Sequence, residues 1–321
     1  MATRRLVRPL VSAASTSWLC PACARTPPIQ QHLLRPQQAQ KRAAHSVPPL
    51  AGLEKSFEEN GVPGLFSNEG FKQAWLDYQG MITDKLNSLT AGEATYNETA
   101  YSLLLRFARD PMNASLFNHA SMAYNNHFFF KTLSTAPVHI EDQKVAAVKA
   151  SLEQTFGSID TLRTAMLDAA SGMFGPGFVW LVWMRSSGSG SFAQRDDQGW
   201  RVLTTYNAGT PFPTAAYRLQ GLDVNTANAK SFEDYYNAEP ANDAGAFGRH
   251  TAGGKAEAKI PPGGTQLAPV LCVNTWEHVW LHDFGIKGKR QYLARWWDAI
   301  DWYAVQTNMP PEVLRPGFMR R

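Results

Sequence analysis

The chain has 321 residues, 44% of them hydrophobic and 12% aromatic, with 31 basic and 27 acidic side chains for a formal net charge of +4. That composition can build one large globular domain or two modest ones. No run approaches the roughly 18 apolar residues that a membrane-crossing helix needs, so a helical span is excluded.

The charge is unevenly placed. Arg4, Arg5, Arg8, Arg25, Arg35, Lys41 and Arg42 all precede the first acidic residue, Glu54, among Ser, Ala, Gln and Pro. A basic, acid-free leader of this kind predicts a mitochondrial transit peptide over 1–46, processed somewhere within 42 to 50. A disordered basic arm that binds nucleic acid is the competing reading. Setting those seven residues aside leaves 24 basic against 27 acidic side chains, a net charge of −3. A general affinity for nucleic acid therefore cannot be argued from the basic pI of 8.9. Cys20 and Cys23 form a lone CxxC inside the leader, without the second pair a zinc site would need. Cys272 lies in an apolar run and reads as a small core residue.

In chain order, Phe71, Ala74, Trp75, Tyr78 and Ile82 recur at helical spacing within 70–89, and 99–109 and 116–133 repeat the pattern. "RDPMN" separates the latter two. Residues 141–170 predict two more helices, with Ser158 or Asp160 as the N-cap of the second. The period then changes: "FVWLVWM" (178–184), "WRVLTTY" (200–206) and "PVLCVNT" (269–275) read as strands. The Gly-Ser run 187–191 makes the first pair a hairpin. Residues 212–268, rich in Ala, Asn, Asp, Gly and Pro, read as a surface insertion. Helices return at 276–284 and 288–306, and 307–321 forms a basic tail. Helices followed by three antiparallel strands make an α+β arrangement.

Four motifs stand in order along this framework: "FNHASMAYNNHFFF" (117–130), "FGPGFVWLV" (174–182), "NAGTP" (207–211) and "VNTWEHVW" (273–280), followed by "YLARWWDAIDW" (292–302). Together they resemble the iron/manganese superoxide dismutase family over about 65 to 305. The resemblance implies an N-terminal helical hairpin (47–137) and an α/β domain (138–306) carrying a three-stranded antiparallel sheet. It also implies a metal held by three histidines and an aspartate, a ligand set suited to cycling Mn or Fe. Aligning Phe117, Asn118, Ala120 and Asn125 with the family's F-N-N-A-A-x-x-W-N-H-T-F puts Asn126 at one ligand histidine. His127 falls one place later, about 100° round a helix. Asn274 stands where D-x-W-E-H begins with the aspartate ligand. Anchoring on Leu86 and Asn87 puts Ala74 at the first ligand and Ile82 at the gating tyrosine; no histidine occurs between His45 and His119.

Of the four ligand positions only His278 keeps its identity, so catalytic dismutation is not expected and neither metal nor cofactor is predicted. A rearranged site using His119, His127, His278 and His282 is the remaining metal arrangement, since His278 and His282 are i,i+4. The glycines of "FGPGF" predict close backbone approach, and Trp180, Trp276, Trp296, Trp297 and Trp302 predict a buried core. In family dimers the glutamate of the Glu-His pair reaches across the two-fold axis, so Glu277 and His278 read as a dimer-type interface or as a packed core pair. A mitochondrial leader, a lost ligand set and long added segments resemble the dismutase-like proteins of the fungal mitochondrial small ribosomal subunit. That resemblance implies a structural role, a related dismutase-like partner chain, other small-subunit proteins and some rRNA contact. The alternative is a mitochondrial Fe/Mn dismutase or a metal-repurposed oxidoreductase.

Overall fold

The computed structural model describes residues 45–108, 110–185, 199–212 and 266–314. The first helix, α1 (Glu54–Asn60), buries Phe57. A longer helical rod follows: α2 (Asn68–Phe71), a π-helical stretch (Lys72–Asp77) and α3 (Tyr78–Thr90). Ser67 caps its start, accepting from the Gly70 N–H, and is itself fixed by the Asp283 carboxylate, which takes both its N–H (3.1 Å) and its Oγ–H (2.6 Å). A Cβ on Gly70 would meet that carboxylate at 2.0 Å, so a larger residue would have to displace the Asp283 side chain. The rod packs on α5 (Ala114–Phe130), which also pairs with α4 (Ala100–Phe107). Asp110 turns the chain between α4 and α5 by accepting from the Met112 N–H.

Helices α6 (Ala146–Phe156) and α7 (Ile159–Gly172) meet the expectation for 141–170, with Ser158 capping the Thr161 N–H. The three strands β1 (Gly177–Arg185), β2 (Gly199–Tyr206) and β3 (Gln266–Asn274) form one antiparallel sheet in the order β2-β1-β3. Phe178 to Val182 are buried throughout, which is why the central strand reads as an unbroken apolar run. On one face of β1, Trp180 meets Phe128 of α5 at 5.5 Å; on the other, Trp183 meets Trp200, whose indole N–H donates to Ser151 of α6. Alternation along the strand thus places α5 and α6 on opposite faces, a helix/sheet/helix sandwich. The register slips between Leu181 and Val182, where Val182 pairs with Pro269; proline cannot donate to the ladder, and the strand bulges beside it.

Beyond the sheet come α8 (Glu277–Phe284), α9 (Lys289–Asp298) and α10 (Trp302–Thr307). This corrects the single helix expected over 288–306. The backbone leaves the helix at 299–301 because Asp301 has better partners: its N–H donates to Thr132 and its carboxylate accepts from Val138 and Tyr303, while Ile300 bridges Leu133. β3 also begins three residues earlier than predicted, so 266–268 belong to the sheet rather than to an insertion. The rest of that insertion, the 187–191 turn, the CxxC and the end of the basic tail lie outside the described residues. Trp180, Trp296, Trp297 and Trp302 are buried as expected, whereas Trp276 is only half-buried, its indole N–H on the Asn207 carbonyl.

Candidate functional site

Ala74, Asn126 and Asn274, expected at former ligand positions, meet in the core. Ala74 comes from the π-helical stretch, Asn126 from α5 and Asn274 from the end of β3, and all are buried. π turns recur at functional sites because they shift which side chains share a face. Here one carboxamide, Asn126, reaches both the Ala74 carbonyl (3.3 Å) and the Gln79 side chain, five residues further along the rod (3.1 Å).

Gln79 completes a relay of amides. Its Nε2 donates to the Ala123 carbonyl (3.0 Å) and its Oε1 accepts from Asn126; Asn126 Oδ1 accepts from Asn274 Nδ2 (3.2 Å), and Asn274 Oδ1 accepts from the Trp276 N–H (2.9 Å). The direction is fixed from both ends, since a backbone carbonyl can only accept and a backbone N–H can only donate. Three carboxamides from three elements are thus satisfied head to tail without a charge, as burial requires. The Asn274 carbonyl is held separately by the Tyr292 hydroxyl at 2.7 Å.

His278 stands beside this relay rather than in it. Its ring stacks on Tyr78 with centroids 3.7 Å apart, and its buried Nε2 has no hydrogen-bond partner among the described residues. Burial pushes its pKa down to about 4 and pushes the Tyr78 hydroxyl up to about 12, so both rings are neutral near pH 7. Ile82, at the expected gating position, is buried. The rearranged histidine set does not assemble: His119 turns back to the Ser115 carbonyl on the surface, His127 lies against Trp75 and the Pro49 carbonyl, and His282 is exposed. Among the described residues no three His, Cys, Asp or Glu side chains are placed to hold an ion.

These residues do not fit a redox metal. Ala74 offers no side-chain donor, the two asparagines are engaged with each other, and no carboxylate is present to offset a buried cation. What the cluster can do chemically is pin helices to sheet.

The family described as iron/manganese superoxide dismutases, C-terminal domain, matches residues 144–224 and 252–308. The chain is similar to this family over those residues, and its α+β fold with a three-stranded antiparallel sheet is dismutase-like. It is 26% identical to the small ribosomal subunit protein mS43 of Schizosaccharomyces pombe, over 83% of this chain and 84% of the relative. It is 27% identical to mS42 of the same yeast, over 70% and 81%. An iron superoxide dismutase of Nostoc is 28% identical over 60% of this chain and 86% of its own.

The dismutase fold also presents an outer face near the Glu-His pair. Glu277 is exposed at the start of α8, and Phe174, in the "FGPG" turn, is 97% exposed. That turn is held firmly: Lys289 Nζ donates to the Met173 carbonyl, the Asn207 N–H to Pro176 and the Thr275 N–H to Gly177. A Cβ on Gly177 would strike the Thr205 carbonyl at 2.2 Å, so the close approach expected of these glycines is found there. Sequence reading missed Gln79 and Phe174. A glutamine within the apolar stripe of Phe71, Ala74, Trp75, Tyr78 and Ile82 was the available signal for the first; the second carried none.

Proposed function

We propose that this protein is a non-catalytic structural component of the mitochondrial small ribosomal subunit, working through protein contacts and some contact with the rRNA backbone. The observation that carries this reading is the amide relay, which holds two of the expected ligand positions, Asn126 and Asn274, beside Ala74 at a third: neutral groups bonded to one another leave nothing to cycle an electron. The names of the two yeast relatives, both small ribosomal subunit proteins, support it. Ala74, Asn126 and Asn274 are former ligand positions in this reading, and His278 is a ligand histidine retained as a packing ring. Glu277, His278 and Phe174 form the surface for a related dismutase-like chain, a heterodimer replacing the family's homodimer. The basic leader directs import into the mitochondrial matrix.

The test is co-purification. Tagged protein from mitochondria is expected to sediment with salt-washed small subunits in equimolar amount and to carry no stoichiometric Mn or Fe. A free homodimer away from the subunit overturns the ribosomal role. Stoichiometric metal with superoxide turnover returns the chain to dismutase chemistry.

A further inference from the structure

The residues just after the basic leader are built into the fold. The His45 N–H donates to Asn87 Oδ1 and the Asn87 amide donates back to the His45 carbonyl, both at 2.9 Å, a reciprocal pair of the kind that joins two strands. The His45 ring reaches Thr90 Oγ1 at 3.3 Å on the same helix, one turn further on. Four residues later the Pro49 carbonyl meets His127 Nε2 of α5 at 3.2 Å. Leu50 is 2% exposed, its N–H bonded to the Glu54 carboxylate, and Leu53 packs on the core beside Phe57. The segment 45–53 is therefore a strap tied to two helices by polar contacts at His45 and Pro49 and by an apolar plug at Leu50.

Two demands act on this stretch. A leader removed after import has to be accessible to the processing protease, whereas a backbone paired on both its N–H and its C=O is protected until the strap opens. Sequence alone allowed cleavage anywhere within 42 to 50. Cutting at 46 or later would strip the Asn87 side chain of both partners and leave polar groups stranded beside the buried Thr90. Cutting upstream of His45 costs the fold none of these contacts.

We infer that leader removal ends upstream of His45, and that His45–Leu50 stays on the mature protein as a strap closing the α3/α5 face. This rests on the import reading proposed above. The experiment is mass spectrometry of the amino-terminal peptide of C-terminally tagged protein isolated from mitochondria. The expected mature start lies at His45 or before it, with the basic leader gone. A start between Ser46 and Ala51 overturns the strap while leaving import intact. A chain that keeps its first residues inside the organelle is imported without leader removal, which overturns this inference and leaves import intact. A second measurement addresses the strap directly in the full mature chain. Asn87→Ala removes both of its bonds to His45, and thermolysin cleavage before Leu50 or Leu53 is expected to quicken on the order of tenfold while global unfolding is little changed. Cleavage at the wild-type rate would show that the pairing does not hold the strap and would overturn the inference.

Discussion

Asn126 is the middle member of the amide relay, so its removal strands a group on either side. Asn126→Ala leaves the Gln79 oxygen and the Asn274 amide buried without partners. At about 1–3 kcal/mol for each stranded group, and about 2–4 °C of Tm per kcal/mol in a domain of this size, the loss should be plain in thermal unfolding. Asn274→Asp is the sharper test. It restores the residue type the family uses as a ligand, yet it sets a carboxylate against Asn126 Oδ1 with no proton between them. The expected outcome is destabilisation of similar size and no uptake of Mn or Fe on incubation; a metal-stabilised variant would show that the site lacks only its charge. His278 adds a pH dependence. Its folded pKa, about 4, lies below the ordinary value of 6.5, so below pH 6.5 the unfolded chain takes up a proton that the folded chain refuses. Stability is therefore full above pH 6.5 and falls toward pH 4, by up to about 3 kcal/mol. His278→Phe, which keeps the stack on Tyr78, should flatten that acid limb in urea unfolding measured against pH.

At the scale of elements, the strands and most helices were legible because their signal is local. The apolar run of β1 marks a central strand, and Ser158 before an amphipathic run marks a helix start. The break at 299–301 was not legible, because its cause is a partner more than 160 residues away: the Val138 N–H that Asp301 accepts in the same carboxylate that caps α10. Asp301→Ala removes the cap and orphans Val138 together. A loss of about 1–2 kcal/mol for the cap alone should show as a lower urea midpoint, larger than that of Ser158→Ala, which removes a cap without a long-range partner. The site divides along the same line. Ala74, Asn126 and Asn274 were expected by register against the family's motifs, and the structure brings the three together. Gln79 was signalled only as a polar residue in an apolar stripe, which does not announce that a π turn will bring its amide to α5.

For the whole molecule, the structural role proposed above works through the outside of the fold, and Phe174 is the residue that separates folding from binding. At 97% exposure its ring contributes little to the folded state, so Phe174→Ala should leave Tm unchanged. Binding is a different matter. The turn is tied through Met173, Pro176 and Gly177, so the ring is offered to a partner with little further loss of conformational freedom. Rigid aromatic anchors of this kind are where interfaces concentrate their energy, at 2 kcal/mol or more for a central one. That corresponds to at least ~30-fold weaker association. Glu277 lies at the exposed edge, where a charge mainly steers encounter, and Glu277→Gln should weaken association only a few-fold, and more so at low salt. Sedimentation of the two variants with small subunits reads this ordering. If Phe174→Ala co-sediments as well as wild type, the partner docks on a different face, because the substitution leaves nothing else in the molecule to compensate.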